Sequence, residues 1–197
     1  MHNQLKLPHG DLLIHAGDMT MRGRQDEVVA FLRWFAAQPF RHRLLIAGNH
    51  DFLFEKLDHD AIASMIPEEI IYLNDSGVEL EGLRIWGSPI TPSYFDWAFN
   101  RHRGAAIQKH WALIPADTDL LITHGPVYGF LDLNMMEEHV GCQDLLRKVL
   151  TIKPRAHVCG HIHESYGSII RSNIRFVNAS LVNENYELVR PPVVFSI

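Results

Sequence analysis

Leu12-Leu13-Ile14-His15-Ala16-Gly17-Asp18 decides how the rest of the chain is read. The apolar run is short, as in a buried strand, and the glycine at its end lets the backbone turn sharply. A carboxylate follows the turn. The same construction returns at Leu44-Leu45-Ile46-Ala47-Gly48-Asn49-His50-Asp51, at Leu120-Leu121-Ile122-Thr123-His124-Gly125 and at Val158-Cys159-Gly160-His161-Ile162-His163. Ligand sites in open α/β sheets gather where strands end, so these turns are expected to share one cleft. Their side chains offer oxygen and imidazole donors and no thiolate. That set suits Mn, Fe, Zn or Co and disfavours a structural cysteine–zinc site.

Each piece alone has an ordinary reading. A Gly-Asp pair is a common turn, Asn49-His50-Asp51 resembles a loop or helix cap, and Thr123-His124-Gly125-Pro126 resembles a strand-ending turn. Gly160-His161-Ile162-His163 is more specific. The metal reading rests on the joint pattern, after an apolar run each time.

Working outward, Arg24 to Gln38 predicts an amphipathic helix. Val28, Phe31, Leu32 and Phe35 keep helical spacing, Asp26 and Glu27 suit the first turn, and Pro39 closes it. His59 to Met65 predicts a shorter helix. Ile70 to Leu80 and Leu83 to Trp86 predict paired strands joined at Glu81-Gly82. Ser88 to Asn100, rich in proline and aromatics, predicts an ordered loop. Its aromatics, with Asn100, Arg101 and Arg103, either line a pocket or fill the core beneath the loop. Gly104 to Leu113 and Cys142 to Ile152 predict helices; Ile169-Ile170, Ile174 to Val177 and Val193 to Phe195 predict strands. No repeat, linker or low-complexity stretch divides the chain, so residues 1–197 are expected to form a single domain. The order of elements favours a mixed α/β sandwich of two sheets flanked by helices.

Composition sets the outer limits. A chain of 197 residues can bury roughly 70% of its unfolded surface. A net charge of -5 and the absence of a clustered Lys/Arg face argue against nucleic acid as a partner. The apolar runs are too short to span a bilayer, and no signal peptide precedes them. Cys142 and Cys159 are too few for a disulfide framework, which points to a reducing, cytoplasmic setting.

The donors also suggest a chemistry. Each oxygen of the Asp18 carboxylate can bind one cation, Asn49 offers a neutral carbonyl oxygen, and His124, His161 and His163 offer imidazoles. Two cations about 3.5–4 Å apart generate a hydroxide nucleophile and clamp an in-line displacement at phosphorus. His50, beside such a pair, is placed to protonate a leaving alkoxide or stabilise phosphoryl charge.

The succession Gly17-Asp18, Gly48-Asn49-His50-Asp51, Thr123-His124-Gly125 and Gly160-His161-Ile162-His163 resembles the calcineurin-like metallophosphoesterase superfamily. Gly87-Ser88-Pro89, Asp96 to Asn100, Thr123 to Asp132, Gly141-Cys142 and His163 to Gly167 resemble its metallophosphoesterase-domain-containing subfamily. The resemblance covers essentially the whole chain. It implies that Asp18 is a bridging metal ligand, that Asn49, His124 and His161 hold the second metal, and that His163 serves the first. It implies up to two divalent ions, with Mn favoured. It also implies that His50 contacts the scissile phosphate and assists the leaving group, with Asp51 orienting it. The implied reaction is hydrolysis of phosphomonoesters or phosphodiesters, nucleotides among them, by a metal-bridging hydroxide. No residue is assigned to substrate binding.

The chain departs from the superfamily at its start. An Asp-x-His motif ending an apolar first strand is expected there, and Met1 to Pro8 holds neither. His2 matches a later position better than the absent ligand. Either Met1 is internal to a longer natural protein or the first metal site is incomplete; the integrity of the other motifs favours the former. The expected structural consequences are a missing first strand and an exposed sheet edge. The expected alternative to a phosphoesterase is a catalytically weakened nucleotide-binding or interaction module.

Overall fold

Strand β1 (Leu12–Ala16) lies parallel to β2 (His42–Ile46), and β2 lies parallel to β3 (Ile71–Tyr72), giving a three-stranded sheet with β1 at one edge. This is a computed structural model, and it describes residues 2–197. Between β1 and β2 runs helix α1 (Gln25–Ala36), which buries Val28, Phe31, Leu32 and Phe35 along one stripe as the spacing requires. The Glu27 carboxylate accepts the Arg24 N–H at 3.1 Å and so satisfies a donor at the start of the helix.

A second sheet begins with the hairpin β4 (Ser76–Leu80) and β5 (Leu83–Ser88). Short strands β6 (Thr91–Pro92) and β7 (Asn100–Arg101) pair with each other inside the predicted loop. Strands β8 (Leu120–Thr123), β9 (Ala156–Cys159), β10 (Gly167–Arg171) and β11 (Ile174–Asn178) complete the second sheet, in the order β10-β11-β9-β8-β5-β4. Its inner pairs are parallel and its two edge strands antiparallel.

The two sheets face each other across Ala16, Leu44, Ile46 and Leu73 on one side and Ile85, Leu120, Ile122, Val158 and Val177 on the other. Burying each of these larger side chains contributes about 1.5–3 kcal/mol. A second apolar cluster lies under the helices, where Phe31, Leu32 and Phe35 meet Leu45 and where Leu121 meets Leu145 and Val149. Strands such as Leu120–Thr123 are buried on both faces, which explains their unbroken apolar runs. A sandwich of two sheets, one parallel and one mixed, with flanking helices is the mixed α/β architecture that the order of elements predicts.

The remaining helices are α2 (Phe52–Lys56), α3 (His59–Met65), α4 (Ala105–Leu113) and α5 (Gln143–Ile152). Helix α3 is capped by Asp58, whose carboxylate accepts the Ala61 N–H at 2.8 Å. Helix α2 has no counterpart in the sequence reading, being too short to show a period.

Two expectations need correction. Ile70 to Leu80 is not one strand. It changes sheets at Asn74-Asp75, where Asp75 takes a left-handed backbone (φ 45°) and is anchored by the Ser88 hydroxyl and His110 Nδ1, each at 2.6 Å. Val193 to Phe195 forms no strand: Pro191-Pro192 interrupts any ladder, and Val193, Phe195 and Ile197 instead pack against the inter-sheet core. The exposed edge is present at β1, where Leu12, Leu13 and Ile14 are only half buried. A cavity of about 1030 Å³ opens beside β1 and reaches Asp18, His124, His161 and His163.

Candidate metal centre

The turns after β1, β2, β8 and β9 all lie at the C-terminal ends of their strands. Strand β1 runs parallel to β2 in one sheet and β8 parallel to β9 in the other, so four turns meet at the same end of the sandwich. Gly17 and Gly48 make their approach possible. A Cβ on Gly17 would strike the His124 ring and the Ala47 carbonyl, and Gly17 sits at φ 97°. A Cβ on Gly48 would strike the Asp18 carboxylate and the His124 ring. Glycine is needed at both for close contact, and at Gly17 for conformation as well.

Donor atoms of Asp18, His124 and His161 all lie within 4.8 Å of one another. Asn49 belongs to the same knot: its Oδ1 accepts from His124 Nε2 at 2.7 Å and from His161 Nδ1 at 2.8 Å. Asp18 Oδ2 stands 3.2 Å from His124 Nε2. His124 Nδ1 donates to the Ala16 carbonyl at 2.8 Å, which sets the ring's orientation and leaves Nε2 facing the oxygens. His163 begins a short 3-10 turn on the wall of the same cavity, outside the tight set. His2 packs against Phe31 and Trp34 at 5.6 and 5.1 Å between ring centres and does not join the donors.

Lone pairs converging in a buried space call for positive charge between them. Burial works against a charged His124, yet the Asp18 carboxylate beside it raises its pKa overall. Burial likewise opposes ionisation of Asp18, but His124, with help from His50, holds its carboxyl well below the usual range. His161 is pushed down to about 3 by burial and by the nearby His124 charge, leaving a neutral imidazole. His163 is lowered by burial against the pull of Asp18. The directions of these shifts show that positive charge is favoured among the oxygens, and the donor set fits a divalent metal on chemical grounds.

His50 lies beside this knot, with its backbone N–H donating to Asp18 Oδ1 at 2.9 Å and its Nδ1 to the Met21 carbonyl at 2.9 Å. The expectation that Asp51 orients His50 is corrected. Fully buried, the Asp51 carboxylate accepts the N–H groups of Asp18, Thr20 and Gly48 at 2.9, 3.0 and 2.8 Å and the Thr20 hydroxyl at 2.8 Å. Among the described residues none of its hydrogen bonds goes to the His50 ring. It shapes the Asp18 and Gly48 turns instead, because backbone donors at these tight turns have no strand partner. Burial and the Asp18 charge raise Asp51 to about 6, against the opposing pull of the Gly48 N–H and Thr20.

The aromatic loop divides between its two readings. Trp97 lies 4.3 Å from the His50 ring and Phe52 stacks on it at 6.0 Å, while Phe99 is buried in the core and Tyr94 and Phe95 are exposed. Arg103 serves structure by donating to the Val140 and Gly141 carbonyls. Two nearby residues escaped the sequence reading. Tyr186 reaches His50 from the C-terminal segment, and buried His157 bonds the Thr123 hydroxyl at 2.7 Å, steadying the turn that carries His124. Neither sits in a motif. Only the β9 register, which places His157 opposite Leu121, hints at the second.

The calcineurin-like phosphoesterase family model matches residues 1–165. Metallophosphoesterase domain-containing protein 1 of Homo sapiens is 40% identical over 216 residues, covering 98% of this chain and 66% of that protein. UPF0046 protein K07C11.7 of Caenorhabditis elegans is 35% identical over 209 residues, covering 100% of this chain and 71% of that protein. The chain thus spans about two thirds of the human relative's length. Among solved structures, the phosphopantetheinyl hydrolase of Mycobacterium tuberculosis aligns with a TM-score of 0.63 at 14% identity, over 94% of this chain and 84% of that one. That likeness is one of fold.

Proposed function

The chain belongs to the calcineurin-like phosphoesterase family, and from that premise we propose that it hydrolyses small phosphate esters, nucleotides among them, with divalent metal. The observation that carries this reading is the meeting of Asp18, Asn49, His124 and His161, drawn from four separate turns, in one half-buried knot of donors. Those four would hold one cation, with Mn favoured, and Asp18 with His163 would contribute to a second. Cations bound there supply Lewis acidity toward phosphoryl oxygens and an activated water.

The chain's own groups do the rest. Asp51 fixes the Asp18 turn, and the Ala16 carbonyl fixes the His124 ring. The Met21 carbonyl holds a proton of His50 on Nδ1, which leaves Nε2 as the nitrogen to carry the proton passed to the leaving oxygen. No helix among the described residues is long and apolar enough to cross a membrane.

The test is turnover of p-nitrophenyl phosphate, bis-p-nitrophenyl phosphate and cyclic nucleotides, each with Mn and with chelator. Hydrolysis that needs the metal is the expected result. Metal binding without turnover of any ester would favour the binding-module alternative.

A further inference from the structure

Tyr186 is delivered to the site by a strap that no motif describes. Residues 181–190 form a closed turn: Asn183 Oδ1 accepts the N–H groups of Asn185 and Glu187 at 3.0 and 2.9 Å, and Val182 bridges to Leu188. Arg190 locks the strap down. Its Nη1 donates to the Val182 carbonyl at 2.7 Å and to the His163 carbonyl at 2.6 Å, tying the strap to the turn that carries His163. At the strap's tip Tyr186 adopts φ 60°, a left-handed conformation that a non-glycine residue holds only when its surroundings insist on it.

The phenol oxygen of Tyr186 lies 3.4 Å from His50 Nε2, and its ring meets the His163 ring edge-on at 5.2 Å. With Trp97 at 4.3 Å on His50 as well, the imidazole is flanked by two aromatic rings. In the neutral His50 tautomer whose Nδ1 donates to Met21, Nε2 accepts and the phenol donates. At 3.4 Å this bond is at the long limit for its type and is easily exchanged. Tyr186 keeps 37% of its surface exposed, so the strap leaves it open to solvent.

We propose that Tyr186 is a substrate-contacting residue, its phenol O–H donating to a phosphoryl oxygen held beside His50. The proposal rests on the phosphoesterase reading above. A neutral donor on an exposed strap complements the half-buried donor knot: it grips the anion from the solvent side without adding charge to the site.

The test compares the Mn-loaded chain with Tyr186→Phe, which keeps the ring and removes only the hydroxyl. Calorimetry with inorganic phosphate should show a dissociation constant raised about tenfold, with Mn affinity unchanged. Turnover of bis-p-nitrophenyl phosphate should fall about tenfold or more. Tyr186→Leu should show the same loss of phosphate binding, should the first variant fold poorly. Equal phosphate affinity in wild type and variant, no measurable phosphate binding by either, or loss of Mn binding in both variants would overturn the proposal. A wild-type chain that binds phosphate with the expected Tyr186 dependence but hydrolyses no ester would uphold the contact and sink the hydrolase.

Discussion

Asp51 Oδ2 accepts the backbone N–H of Asp18 at 2.9 Å, and Asp18 sits at φ 61°. A buried carboxylate from the turn after β2 thus holds a second carboxylate, from the turn after the neighbouring β1, in a conformation that its own backbone disfavours. His161 is likewise left-handed, at φ 68°.

Asp51→Ala should therefore act through Asp18. It strands four backbone N–H donors, on Asp18, Met19, Thr20 and Gly48. A loss of about 3 kcal/mol or more in urea unfolding is expected, together with weaker Mn binding. A change below about 1 kcal/mol with intact metal affinity would contradict the role.

His50→Ala leaves the donor knot whole, since His50 engages Asp18 through its backbone N–H. Turnover should fall by about 10²–10⁴ while bound Mn, counted by atomic absorption, stays constant. Unchanged turnover would remove His50 from the chemistry.

Gly48→Ala places a methyl against the Asp18 carboxylate and the His124 ring. Metal binding should be lost, with circular dichroism close to wild type, because the clash lies in a turn and not in the strand ladder. Full Mn affinity in this variant would show that the turns are less tightly opposed than described.

Titration with Mn should reveal one tight ion, on Asp18, Asn49, His124 and His161, and one weak ion, on Asp18 and His163. Binding competes with a proton on His124, which the Asp18 carboxylate favours, so affinity should rise with pH and protons should be released. Calorimetry in two buffers of different ionisation enthalpy measures that release. Two ions of equal affinity would show that His163 has more partners than Asp18.

Acid should destabilise the chain through His157. Burial lowers its pKa from 6.5 to about 3, so between those values the unfolded chain binds a proton that the folded chain refuses. Stability from this residue is present above pH 6.5 and declines as pH falls toward 3, by about 1.4 kcal/mol per pH unit. His157→Gln should flatten that slope. A variant with the wild-type slope would place the sensitivity elsewhere.

The architecture was largely legible because fully buried parallel strands must be continuous apolar runs, and Leu44-Leu45-Ile46 and Leu120-Leu121-Ile122 can be little else. Helix α1 was legible from its stripe, and α3 from the run His59 to Met65, while its Asp58 cap came to light only in the structure. Residues 70–80 misread as one strand because the change of sheet at Asp75 depends on Ser88 and His110, distant in sequence. Val193 to Phe195 misread because alternation records a buried face without saying whether a neighbouring strand offers hydrogen bonds.

The sequence by itself determined which side chains stand at strand ends, since that depends only on short apolar runs and the glycines that close them. Asp18, Asn49, His124, His161 and His163 were all identified on that basis. Only the tertiary structure decided which of these come within reach of one another, what Asp51 holds, and that Tyr186 joins His50. Those relations span 33 residues between Asp18 and Asp51 and 136 between His50 and Tyr186. Contacts across such separations follow from how two sheets and a C-terminal strap pack together, and no local periodicity encodes them.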